Sequence, residues 1–170
     1  AYTYDYLIRT LNLTPPIPKL LQEKGRQAIA NDYAVIADAY HFNDNVENDE
    51  EKAFAYYQKA AEYDHPRANF NIGSHYHRGE QVALDLAKAL QLYQKAAELD
   101  YPGAHERLGR MYMEGEFVDR DWQKAEEYLI KATELEDSPE NNIQLARFYC
   151  LAPDEWQDVE RCLSLMDMKQ

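Results

Sequence analysis

ANFNIGSHYHRGEQVALDLAKALQLYQKAAELDYPG, residues 68–103, holds two helical patterns joined by a turn. Ala68, Ile72 and Tyr76 recur every four residues and so share one helical face. Gly79 follows where a helix C-terminus favours a residue free to turn left-handed. Asp85 is a good N-cap type, and Leu86, Ala89, Leu92, Tyr93 and Ala96 then return at helical spacing. Pro102, in Asp100-Tyr101-Pro102, ends the second pattern, because proline cannot continue a helix interior.

The same unit recurs on either side at a step of 36 residues. One step back, Asp85, Lys88 and Ala89 become Asp49, Lys52 and Ala53, and YQKAAELDYP at Tyr93 becomes YQKAAEYDHP at Tyr57. One step forward, Ile72-Gly73 and Tyr76 become Leu108-Gly109 and Tyr112, and Asp121, Lys124 and Ala125 repeat the D-x-x-K-A string. A further step of 37, its extra residue in the turn DSPEN, gives Leu145-Ala146, Tyr149, Asp158 and Cys162. The chain therefore divides into units near 32–67, 68–103, 104–140 and 141–170. A period of this length marks helical pairs that bury their apolar faces by stacking on one another.

These residues resemble the Sel-like repeat (SLR) family, relatives of the tetratricopeptide repeat, with its A-x-x-x-L-G-x-x-Y-x-x-G, V-x-x-D-x-x-K-A and Y-x-x-K-A-A strings. Unit 68–103 matches nearly every element, with Ile72 for Leu. Unit 104–140 has Leu129 for Tyr and Thr133 for the second Ala; unit 32–67 has Asp32, Ala37 and Asn43 for the first Ala and the glycines; unit 141–170 departs most. The resemblance implies an all-α, right-handed α-solenoid of about four helix-turn-helix repeats over 32–170 as one structural domain. It also implies a non-enzymatic protein–protein interaction module holding another protein in its concave groove, as adaptors, toxin-binding immunity proteins and inhibitors in the family do. Cysteine-rich relatives imply an alternative, a small hydrolase that binds cell-wall-like ligands. Disulfide-bearing members place their cysteines elsewhere, so Cys150 and Cys162 read as two small, half-buried thiols, with a hairpin disulfide as the alternative in an oxidising compartment.

Residues 1–31 lie outside the repeats. Tyr2, Tyr4 and Tyr6 alternate with other residues as in an extended arm. Beyond Pro15-Pro16, residues 18–30 read as a capping helix started by Pro18. In unit 32–67 the turn Phe42–Glu51 crowds five carboxylates, which reads as a solvated helix N-terminus rather than a calcium loop, since the EF-hand order is absent. At the other end Val159, Cys162, Leu163, Leu165, Met166 and Met168 make an apolar helix with nothing after it to cover it, an edge suited to weak homo-oligomer formation or a partner. A structural oligomer closed by that edge is a second alternative.

Apolar residues make up 45% of the 170, yet mean hydropathy is −0.73, as for amphipathic helices with wet outer faces. The formal charge of −13 disfavours nucleic acid and anionic membranes as partners. No apolar run approaches the roughly 20 residues needed to span a bilayer. No nucleophile elbow, Walker loop or H-E-x-x-H string is present. His75 and His77 are two residues apart on a helix and point to different sides, so neither a metal nor any cofactor is expected. The cytoplasm is the expected compartment, with the periplasm as the alternative.

Carrying the tetratricopeptide groove positions onto this chain selects His41, Phe42, Arg67, Phe70, His77, Arg78, Arg107, Arg110, Met113 and Arg147. Five of the nine arginines fall on first helices or their entry turns. Lys52, Lys59, Lys88, Lys95, Lys124 and Lys131 belong instead to the K-A strings of second helices. Arginine and aromatic residues anchor interfaces, so these positions predict a locally basic groove on an acidic body. The competing expectation is that the arginines pair with acids of neighbouring helices.

Overall fold

A computed structural model describes residues 26–42 and 49–167. The described residues form eight α-helices and no strand. They are α1 Arg26–Phe42, α2 Glu50–Ala61, α3 Pro66–Arg78, α4 Leu86–Glu98, α5 Pro102–Glu114, α6 Trp122–Leu135, α7 Pro139–Leu151 and α8 Val159–Asp167. This is an all-α repeat fold. The chain divides into two compact units, 1–85 and 86–170. In the first, α2 packs against both α1 and α3; in the second, α4 to α8 pack in succession and α5 also reaches α7.

The extended arm and most of the capping helix expected over 18–30 lie outside the described residues. Arg26 to Ala30 belong to α1, which runs unbroken for 17 residues through Phe42. No helix therefore ends at Ala30. Nothing in Ala28-Ile29-Ala30-Asn31 breaks a helix, and Ile29, Ala30, Ala34 and Ala37 are all buried. The acidic turn at 43–48 also lies outside; its described end has Asp49 capping α2, with Glu50 and Glu51 in the first turn.

Each consensus residue has a mechanical task. The Asp49, Asp121 and Asp158 carboxylates accept from the backbone N–H three residues on, at 3.0, 3.0 and 2.9 Å. The backbone N–H groups of Asp49, Asp85, Asp121 and Asp158 donate to the carbonyls of Tyr40, Tyr76, Tyr112 and Tyr149 at 3.0–3.2 Å, closing every turn in the same way. Lys124 pairs with Asp121 at 3.3 Å and lies 5.1 Å from the centre of the Tyr112 ring, which stacks on Tyr128. Lys52, Asp49, Tyr40 and Tyr56 repeat that cluster. These lysines are part of the fold, as their place in the K-A string suggests.

Gly79 (φ 69°) and Gly115 (φ 71°) end α3 and α5 in the left-handed region that favours glycine. Ala53, Ala89, Ala125 and Cys162 occupy one repeat position, each 2% exposed or less. At Gly109 a Cβ would lie 2.6 Å from Leu129 Cγ, so α5 and α6 meet there closely enough to exclude a side chain.

Asn69 and His105 share another repeat position, while Asn141 stands where Ala68 and Ala104 do; all three are buried and polar. His105 Nε2 lies 3.0 Å from the Ala97 carbonyl, and Asn141 Nδ2 donates to the carbonyls of Ala132 (3.2 Å) and Glu136 (2.8 Å). Asn69 Nδ2 donates to the His65 carbonyl at 2.9 Å. These side chains satisfy carbonyls at the end of the preceding helix or the turn after it.

The thiol reading of the cysteines is corrected. Cys150 and Cys162 are disulfide-bonded, with Cα atoms 5.6 Å apart. α7 ends at Leu151, followed by Ala152 in an extended conformation rather than a left-handed glycine. The bond thus ties α7 to α8 in the hairpin whose turn lacks that glycine.

Candidate functional site

Five carboxylates meet the arginines of the first helices. In the first unit Arg67 bonds Asp38, which also accepts from the Tyr57 hydroxyl at 2.7 Å. Burial, followed by the Asp38 carboxylate, pushes the Tyr57 hydroxyl well above the usual phenol range. Arg67 is therefore held in a part-buried triad spanning α1, α2 and α3. Arg78 pairs with Glu80 at 2.6 Å on the surface. His41 Nδ1 lies 2.9 Å from Glu50, joining α1 to α2. His77 and Phe70 are half-buried on α3. The side chain of Phe42 lies outside the described residues.

In the second unit Arg107 meets Glu116 at 3.1 Å, Arg110 meets Glu106 at 3.5 Å and Arg147 meets Glu114 at 3.0 Å. Met113 is 4% exposed and packs with Leu129, Leu145, Phe148 and Tyr149, so this candidate is a core residue and not part of a surface. Its place on α5 points to the seam with α6 and α7, where a long flexible thioether fills space well. Glu106 is mostly desolvated. Burial raises its carboxyl above the usual range despite Arg110 beside it.

The basic groove is thus neutralised. Each of the five arginines has a carboxylate partner within its own unit, as the competing expectation had it. What remains open in the second unit is a narrower face. Arg147 retains 44% side-chain exposure, Glu114 35%, and Ile143, one turn before Arg147, is an exposed large apolar residue. The sequence signal for the pairing was present in Glu106, Arg110 and Glu114, spaced four apart on α5, a ladder of alternating charge that satisfies itself. Arg147 with Glu114 needed the packing of α5 on α7, which spacing alone does not supply.

His75 is buried against the edge of Phe54, with ring centroids 4.9 Å apart. Burial holds it, His65 and His105 below the usual imidazole range. Among the described residues no three His, Cys, Asp or Glu side chains are placed to hold a metal, and no helix is long and apolar enough to cross a membrane. An open cavity of 720 Å³ at the α5–α6 turn is lined by Tyr112, Phe117, Asp121 and Lys124. Three of these, Tyr112, Asp121 and Lys124, already serve the repeat turn.

The Sel1 repeat family matches residues 31–65, 66–101 and 102–137. Among solved structures, a Sel1 repeat protein from Oxalobacter formigenes is 27% identical with a TM-score of 0.80, over 97% of this chain and 63% of that one. The protective antigen c5321 of uropathogenic Escherichia coli, which displays an SLR fold, is 23% identical with a TM-score of 0.67, over 95% of this chain and 36% of its own. Helicobacter pylori cysteine rich protein B is 25% identical with a TM-score of 0.53, over 69% of this chain and 95% of its own. The chain therefore spans less than two thirds of the length of the first two. No curated protein matches. With its consensus residues at their tasks and three repeats matched across more than half its length, the chain belongs to the Sel1 repeat family, whose members are generally protein-interaction modules and typically non-enzymatic scaffolds.

Proposed function

We propose that this protein binds a partner protein on the first-helix face of its second unit, where α5 and α7 lie side by side. The observation that carries this is the exposure of Ile143 and Arg147 on one stripe of α7, where the Arg147 side chain stays 44% exposed while paired with Glu114 of α5. An apolar side chain beside a half-exposed guanidinium is the residue pair that anchors an interface. The Glu114–Arg147 pair joins it and opens toward a partner able to offer both charges. Such a face suits a dedicated one-partner binder of the inhibitor or immunity type, or an adaptor. Arg110, tied to the part-buried Glu106, lies on α5 beside this face.

The test is affinity capture from native lysate with Ile143→Asp and Arg147→Glu as parallel baits. A genuine partner is retained by the parent protein and lost from both variants, while their melting temperatures stay within a few degrees of the parent. A capture profile identical across all three baits overturns the reading.

A further inference from the structure

The turns 79–85 and 115–121 share one backbone course but not one chemistry. Each starts at a left-handed glycine and places the residue two further on in the same region, Gln81 at φ 58° and Phe117 at φ 62°. Each ends on an aspartate whose backbone N–H donates to a tyrosine carbonyl of the helix before it, Asp85 to Tyr76 and Asp121 to Tyr112. Between those ends, Gln81, Ala83 and Leu84 are replaced by Phe117, Asp119 and Arg120. The turn forms with either set, so its own geometry does not call for the second.

Phe117 is the least expected of the three. A left-handed backbone disfavours a bulky side chain, and the ring gains little from packing, because it stays 48% exposed. The turn lies well inside the described residues, with helices before it and after its own pair, so this is not the exposure of a chain end. Phe117 and Asp119 line one open cavity of 720 Å³. The other charges about it are engaged. Lys124 pairs with Asp121 at 3.3 Å and Glu116 with Arg107 at 3.1 Å. Arg120 lies 5.6 Å from the centre of the Trp122 ring and donates to the Glu114 carbonyl at 3.3 Å. Among the described residues, Asp119 makes no hydrogen bond and no ion pair. One uncompensated carboxylate therefore stands beside an exposed aromatic ring.

We propose that this cavity receives an arginine side chain from a basic segment of a partner protein, its guanidinium placed on the Phe117 ring and paired with the Asp119 carboxylate. A planar guanidinium can use a ring face and a carboxylate together. The cavity is open, so the side chain enters while still attached to its own chain. The net charge of −13 draws a basic segment toward the surface. This site does not depend on the α5–α7 stripe.

Short peptides blocked at both ends, with one central arginine, lysine or glutamate among glycine and serine, test this by NMR titration of the ¹⁵N-labelled protein. The arginine peptide is expected to shift the amide resonances of 115–121, the lysine peptide to shift them less, and the glutamate peptide to leave them in place. The double variant Phe117→Gln, Asp119→Ala gives this turn residues that 79–85 already carries. It should keep the parent melting temperature and bind the arginine peptide about tenfold more weakly or worse. A turn shifted by the glutamate peptide instead would mean an acidic occupant. Arginine-peptide shifts spread across the protein and unchanged in the variant would reduce the binding to the pull of net charge. Either result overturns the proposal, as does a turn that no peptide shifts.

Discussion

At the scale of single residues, the repeat consensus is a set of mechanical parts with separable energetics. Gly109 is the sharpest case, because Leu129 Cγ and Cδ2 lie 2.6 and 2.8 Å from where its Cβ would be. Alanine is the better helix former by about 1 kcal/mol, yet overpacking of this kind costs about 1–3 kcal/mol. Gly109→Ala is therefore expected to lower the urea midpoint rather than raise it. The buried histidines give a second expectation. Burial lowers the folded-state affinity of His65, His75 and His105 for protons, so the unfolded chain protonates first as pH falls. Stability is then full above the unfolded imidazole value, about 6.5, and declines as pH drops through it toward the lower folded values. Met111 and Asn69 show what the repeat accepts at the positions of His75 and His105. A His75→Met, His105→Asn protein should lose less melting temperature between pH 7 and pH 5 than the parent. An unchanged slope would place the acid sensitivity elsewhere.

Among the elements, the last hairpin differs most from its neighbours. α8 has nine residues, three of its apolar side chains face outward, and no left-handed glycine closes its turn. The Cys150–Cys162 bond compensates by restricting the unfolded chain. For a loop of 12 residues that restriction is worth about 2–3 kcal/mol. Reduction, or the Cys150→Ser, Cys162→Ala pair, should cost roughly that much and raise hydrogen exchange in α8 before any other helix of the second unit. Uniform exchange across that unit would mean the bond is dispensable. The helix pairs were legible in the sequence because the consensus residues recur at fixed offsets. Asp49, Asp121, Gly79 and Gly115 each announce a local backbone task. The disulfide was not legible, since it needs Cα atoms 5.6 Å apart across a turn whose course spacing does not give. The continuous α1 was missed because Ala28 to Asn31 carry no boundary signal in either direction.

For the whole molecule, the charge of −13 coexists with five candidate arginines that are each paired within their own unit. Of the candidate positions, Arg147 lies on the stripe proposed above, whereas Met113 is core and Arg67 belongs to a part-buried triad. Spacing along one helix says which residues share a face; only packing says which of them are already engaged. The proposed recognition consequently rests on a small exposed stripe, not on a broad basic groove. The most direct measurement is the dissociation constant of the captured partner for the parent and for Arg147→Glu, with the melting temperature of each recorded alongside. An exposed ion pair contributes about 0–1 kcal/mol to folding, whereas a central interface arginine contributes 2 kcal/mol or more, roughly thirtyfold in affinity. A thirtyfold loss of binding at nearly constant melting temperature is the predicted result; undiminished affinity, or a collapse of the fold, would contradict it.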